Sequence, residues 1–287
     1  MAITAEMVKA LREKTGAGMM ECKAALTEAG GSMEQAVDIL RKRGLAQAAR
    51  KAGRATGEGL IGSYVSPDQH TGVLVEVRCE SDFVARTPDF QALIKDVAAG
   101  IAEAGDAASP AWVADPAGPV QTRVAATIAK LGENIGVDRF VRLSGDGVVA
   151  VYIHLGGKLG VLVELAGVAG GAAQHEAVQT LAKELAMQVA AATPQYASRG
   201  EVPADVLEHE RAIYRGQLEG QNKPANVIDK IIEGKLGAFY QQVVLPDQPS
   251  IRDPKVSVSQ LIADASKASG ATLSVRRFAR LKVGESV

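Results

Sequence analysis

Aromatic side chains make up only 4% of the 287 residues, cysteines number two, and opposite charges nearly cancel. Scarce aromatics leave a core of Ala, Val, Ile and Leu, which suits helices packed on sheets. Cys22 and Cys79 are too few for a disulfide framework and too far apart in sequence for a thiolate metal site. A reduced, intracellular setting is therefore expected. Lys plus Arg total 32 against 33 Asp plus Glu, a formal net charge of −1. A broad nucleic-acid surface needs clustered positive charge to replace counterions, so only a local patch is compatible with this balance. No apolar run approaches the ~18 residues of a membrane span. "MAITAEMVKALREK" (1–14) is charged and amphipathic and has no secretory apolar segment. The expectation is a cytoplasmic chain of one large domain or two to three small ones.

Signatures of chemistry are equally sparse. "GEGLIG" (57–62) matches a dinucleotide-binding glycine pattern in form only. Such glycines must follow a strand and open a helix, whereas these precede Leu60, Ile61, Tyr64 and Val65, a strand pattern. There is no phosphate-loop motif, and His70, His154, His175 and His209 are scattered without zinc or triad spacing. "RKRG" (41–44) is the best basic patch, but no aromatics are interleaved for base stacking. No enzyme, metal site or cofactor is read from these residues.

What is present is periodicity. Residues 4–43 predict three short helices: Thr4 caps the first, Gly16 and Gly30-Gly31 end the first two, and Ser32 with Gln35 opens the third. The adjacent Met19 and Met20 point about 100° apart on a helix. One is expected to fill the small core, and the other can be either core or a flexible surface contact. "RKRGLAQAARKAGRATGEG" (41–59) reads as a tether. Beyond it the chain repeats: "GVLVEV" (72–77) and "GVLVEL" (160–165) each follow another strand and precede an apolar-periodic helix. The first helix carries Phe90, Leu93, Ile94, Val97 and Ile101; the second carries Val178, Leu181, Leu185 and Val189. A duplicated α+β unit follows. Residues 104–119 read as a loop by composition. From about 203 to 240, apolar residues at helical spacing, broken by "EGQNKP" (219–224), predict an inserted antiparallel helical hairpin, a coiled coil. The expected division is 1–54, the helical unit and tether; 55–140, the first core subdomain; and 141–287, the second with its hairpin.

"VEVRCESDFVAR" (75–86) begins as a strand, with Val75, Val77 and Cys79 on one side and Glu76, Arg78 and Glu80 on the other. Ser81, Asp82, Phe83 and Val84 then set a carboxylate beside a large ring at a turn. The residues alone leave two readings, a ring tucked into its own core or a ring offered to a partner. His154, ahead of "LGGKLG", has a similar pair: presented by a turn, or an ordinary strand-end polar residue.

Taken together, several segments resemble a family. "TGAGMMECKAALTEAGGSMEQAVDILRKRG" resembles the N-terminal, ubiquitin-associated-like domain of bacterial elongation factor Ts. "VRCESDFVAR" is similar to that family's Thr-Asp-Phe-Val signature, and "LGENIGVDRF" and "HLGGKLGVLVEL" to later core segments. The resemblance runs in order from residue 2 to about 283. It implies a non-enzymatic guanine-nucleotide exchange factor for the GTPase elongation factor Tu, with no cofactor of its own. By position, Ser81, Asp82, Phe83 and Val84 correspond to a wedge that dislocates Mg2+ from the partner. Arg12, Met19, Met20 and His154 correspond to partner-binding residues. Ser81 stands where the family usually has Thr, and the C-terminal helical module of some members has no counterpart in this sequence. A helical-hairpin protein binding some other partner through 203–240 is the alternative.

Overall fold

A computed structural model describes residues 2–168, 172–219 and 224–285 of the chain. In order, the elements are α1 (Ala5–Thr15), α2 (Met19–Glu28), α3 (Met33–Lys51), β1 (Glu58–Val65), β2 (Thr71–Cys79), α4 (Asp82–Ala85) and α5 (Pro88–Ala104). There follow α6 (Pro110–Ala114), α7 (Pro119–Leu131), β3 (Ile135–Ser144), β4 (Val148–His154), β5 (Leu159–Ala166) and α8 (Glu176–Ala192). The chain continues through α9 (Ala204–Gly216), α10 (Ala225–Val243), α11 (Val258–Ser269) and β6 (Ser274–Lys282). The fold is mixed α and β.

The first three helices close on a small core of Val8, Leu11, Ala17, Cys22, Ala25, Leu26 and Ala36. Thr4 and Ser32 cap α1 and α3 by accepting the Met7 and Gln35 amides. The tether reading is corrected over most of its length, because α3 runs on to Lys51. "AQAAR" (46–50) is strongly helix-forming, and the extension has something to pack on. Gly44 brings α3 against α7, where an added Cβ would sit 3.5 Å from the Ala125 carbonyl oxygen. Arg41 donates to Thr122 Oγ1 at 3.2 Å and Lys51 Nζ to the Gly132 carbonyl at 2.7 Å.

Two three-stranded antiparallel sheets follow, ordered β1-β2-β3 and β4-β5-β6. The first carries α5, α6 and α7 on its outer face, over a core including Val75, Phe90, Val97 and Ile128. The second carries α8 and α11 over Val161, Val163, Leu185 and Val258. The inner faces meet through Ile61, Leu74, Leu143, Val149, Leu162 and Leu281. The result is helix, sheet, sheet, helix in four layers.

The two halves meet reciprocally. A Cβ on Gly72 would lie 2.5 Å from Val149 and 3.0 Å from Leu162; one on Gly160 would lie 2.5 Å from Ile61 and 2.9 Å from Leu74. Each contact is its counterpart with the halves exchanged, the signature of a pseudo-two-fold. Both central strands shift register after the same glutamate, between Glu76 and Val77 and between Glu164 and Leu165. Both glutamates are fully buried. Glu76 accepts from Arg139 at 2.8 Å, and Glu164 from Arg277 at 2.6 Å. Arg139 also donates to the Lys282 carbonyl of the opposite sheet, as Arg277 does to that of Ser144. The third strands repeat as well, "VDRFVRL" (137–143) matching "VRRFARL" (275–281).

Residues 104–119 are not all loop. Ser109-Pro110, like Thr87-Pro88, is a cap followed by a first-turn proline, and it opens α6. In the hairpin, Leu218, Ile232 and Leu236 are buried between α9 and α10. Arg211 faces Glu233 and Arg215 faces Asp229, an order that makes the two helices antiparallel. Residues 220–223 of the break between them lie outside the described residues.

Candidate functional site

At the end of β2 the chain leaves the sheet at Cys79, the last residue paired with both Glu58 and Ile135. Ser81 is extended (φ −126°, ψ 155°) and its hydroxyl accepts the Val84 amide at 3.3 Å, which caps the single turn α4. Successive helical residues point about 100° apart, and α4 uses this to face two ways. Val84 and Ala85 turn inward and join the first core. Phe83 turns outward and is 81% exposed. Asp82 lies beside it, its carboxylate receiving Arg86 at 2.8 Å. Thr87 closes the turn by donating to the Val84 carbonyl at 2.8 Å and then caps α5. The ring therefore projects from a turn fixed at both ends.

Beneath it lies a polar clasp. Glu133 accepts the Ser81 amide at 2.9 Å and its hydroxyl at 2.5 Å. Glu80 accepts the Asn134 amide at 2.6 Å and an Arg54 guanidinium at 3.4 Å. The Asn134 side chain donates to the Arg54 carbonyl at 2.8 Å. The Cys79 thiol donates to the Ser81 carbonyl at 3.1 Å. Burial, reinforced by the charge of Glu133, pushes that thiol up to about 11, so it stays protonated at neutral pH and cannot act as a nucleophile.

His154 ends β4 and is exposed. Its Nδ1 lies 2.7 Å from the Tyr152 hydroxyl and its ring stacks on Tyr152 at 5.6 Å. The next residue, Leu155, has φ 52° and is 69% exposed. Lys158 then ties this turn to the first sheet, reaching Glu58 at 2.5 Å and the Gly59 carbonyl at 2.9 Å. Because Glu58 pairs with Cys79, the His154 turn and the Phe83 turn share one end of the two sheets.

The hydrogen bond and charge of Lys158 hold the Glu58 carboxyl below its ordinary 4.5. A depressed carboxyl contributes stability that is complete above that ordinary value and lost as pH falls through the lower folded one. The stability difference between wild type and Lys158→Met is therefore expected to be constant above about pH 4.5 and to shrink on further acidification. Urea titrations at pH 3 to 6 measure this. A difference independent of pH would show that the pair contributes nothing.

Arg12 is exposed on α1. Met19 and Met20, at the start of α2, are 55% and 76% exposed. The expectation that one methionine fills the core is corrected. Ala17 and Cys22 already close that end of the small core, so both thioethers of the first turn stand outside it. Lys130 reaches Asp89 at 2.5 Å and packs on Gly16, which joins the α1–α2 turn to the start of α5. Among the described residues, neither methionine nor Arg12 shares a hydrogen bond or ion pair with the Phe83 turn.

The family model described as "Elongation factor TS" matches residues 80–285, beginning at the clasp residue Glu80. The protein named elongation factor Ts of Trichlorobacter lovleyi is 44% identical, covering all of this chain and 94% of that protein. The protein of the same name from Clostridium botulinum strain Alaska E43 is 43% identical, covering 99% and 94%. That of Nitratidesulfovibrio vulgaris strain DP4 is 44% identical, covering 99% and 97%. The chain belongs to the elongation factor Ts family.

In this member of the elongation factor Ts family, the candidate residues Phe83 and His154 lie on the surface and not in a cavity. The cleft between α3 and α7, about 270 Å3 and lined by Leu40, Gly44 and Ala125 among others, lies away from Phe83. Among the described residues no group of three or more His, Cys, Asp or Glu could hold a metal. Among the described residues no helix is long and apolar enough to cross a membrane. Residue reading missed Glu80, Glu133 and Leu155. The clasp joins segments distant in sequence and has no local pattern. The "HLGG" turn was visible, but an exposed leucine at positive φ was not inferred from it.

Proposed function

We propose that this chain is a guanine-nucleotide exchange factor that acts on elongation factor Tu during translation elongation. Phe83 carries the reading: a large ring, 81% exposed, stands on a turn fixed by Ser81 on one side and by Val84 and Thr87 on the other. An exposed ring on a rigid support loses little freedom when a partner pocket receives it. Asp82 and Phe83 form the wedge, entering between helices of the GTPase domain, while Ser81 and Val84 give it shape. Mg2+ neutralises nucleotide phosphates against one another and against the GTPase. A protein that favours the GTPase state with that ion displaced must weaken nucleotide binding, and by linkage nucleotide weakens the factor's binding equally.

Burying Phe83 supplies roughly 1.5–3 kcal/mol, about one to two decades in affinity, too little for the whole complex. The remainder comes from an extended surface. Arg12, Met19 and Met20 on a ubiquitin-associated-like unit dock the GTPase domain, His154 approaches the nucleotide-side loops, and the coiled-coil hairpin of 203–240 adds contact. The corresponding units are 1–54, 55–140 and 141–287. No covalent bond is made or broken, so the protein works by binding, without a cofactor, in the cytoplasm.

Release of labelled GDP from elongation factor Tu tests this. The rate is expected to rise with added protein and to saturate. No acceleration at micromolar protein would overturn the reading.

A further inference from the structure

We infer that Glu133 is a positioning residue for exchange: by holding the amide and hydroxyl of Ser81 it aims the Asp82–Phe83 wedge. The inference rests on the exchange-factor reading and adds to it a residue outside the wedge, in the bend that leads into β3.

The β2–β3 ladder ends at the pair Cys79 and Ile135. Just beyond it, the segment flanking each strand offers a carboxylate to an amide of the other. Glu133 takes the Ser81 amide at 2.9 Å, and Glu80 takes the Asn134 amide at 2.6 Å. The two acids sit one residue before the amides that are held, so the clasp continues the ladder by side chains where backbone pairing has stopped. Hydrogen bonds to an ionised acceptor are about twice as strong as neutral ones.

Glu133 does more than hold the strand end. The Ser81 hydroxyl has one proton and donates it to Glu133 at 2.5 Å. With the proton committed there, the oxygen presents a lone pair to the Val84 amide, 3.3 Å away. That bond is the side-chain cap of α4. A helix of a single turn has almost no stability of its own, so its direction is set by its ends. Phe83, being 81% exposed, has little packing to orient it and follows the backbone. Loss of Glu133 leaves Ser81 Oγ free to rotate and the turn free to fray, without opening a core cavity.

The test is a double-mutant cycle read by GDP release from elongation factor Tu, with amide exchange on the free protein. Glu133→Ala is expected to lower release efficiency about tenfold, and Glu133→Gln, which keeps one acceptor oxygen, less. In a background carrying both Asp82→Ala and Phe83→Ala, Glu133→Ala is expected to change the rate less than about twofold, because it acts only through the wedge. Amide exchange should rise at Val84 and Ala85 and remain unchanged along β2. Losses that multiply, an unchanged rate in Glu133→Ala, or faster exchange throughout the first sheet would each overturn the inference. If Glu133→Ala does not fold, Ser81→Ala removes the same hydroxyl and enters the same cycle. A wild-type protein that releases no GDP would refute the exchange reading, while amide exchange would still decide whether Glu133 holds the turn.

Discussion

Phe83→Ala lowers the efficiency of GDP release from elongation factor Tu by about ten- to a hundredfold and leaves folding stability unchanged. The two halves of this expectation come from one observation, the 81% exposure of the ring. Truncating a buried Phe removes core contacts and leaves a cavity, typically at about 3–5 kcal/mol. Truncating this one removes almost nothing from the free protein, because the anchors of its turn are Val84 and Ala85. The whole loss should therefore fall on the complex. Urea unfolding and stopped-flow GDP release on the same preparation separate the terms. A variant that unfolds, with normal activity per folded molecule, would assign the ring to the protein's own core.

Arg139→Ala destabilises the fold by about 3–5 kcal/mol, and Arg277→Ala costs less. Both arginines pair with a carboxylate that is fully buried, and both also reach a carbonyl of the opposite sheet. The difference is in what remains. Without Arg139, Glu76 keeps, among the described residues, only the Gly284 amide at 2.8 Å, and its charge is uncompensated in the interior. Without Arg277, Glu164 keeps the Arg276 guanidinium at 2.9 Å. Denaturation of the two variants measures the asymmetry. Equal losses would mean that the second arginine contributes nothing.

The duplicated architecture was legible because its signals are local. Capping pairs, the apolar period of α5 and α8, and the repeated "GVLVE" all lie within single elements. The third-strand match, five of seven residues in "VDRFVRL" and "VRRFARL", is local too, but its meaning as part of the repeat comes from the pairing of each with its central strand. What was not legible depended on distant neighbours. Glu76 was placed correctly on the face opposite Val75, but a face turns out to be exposed or buried according to what covers it, here the second sheet. The helical course of residues 44–51 depends on α7, more than seventy residues later. Met19 and Met20 are both outside because Ala17 and Cys22 had filled the space that one of them was assigned. At the wedge, residue order gave the turn and the ring, while the Glu80 and Glu133 clasp arises only where β2 and β3 end side by side.

The central claim is that this ring loosens the partner's hold on its metal and phosphates. The most direct measurement is the ratio of GDP-release rates promoted by wild type and by Phe83→Ala, followed as free Mg2+ is lowered by chelation. The ratio should be large in millimolar Mg2+ and fall toward one as the ion is withdrawn, because the wedge then has nothing left to displace. A ratio that stays the same at every Mg2+ concentration would contradict the claim and leave Phe83 as a docking contact only.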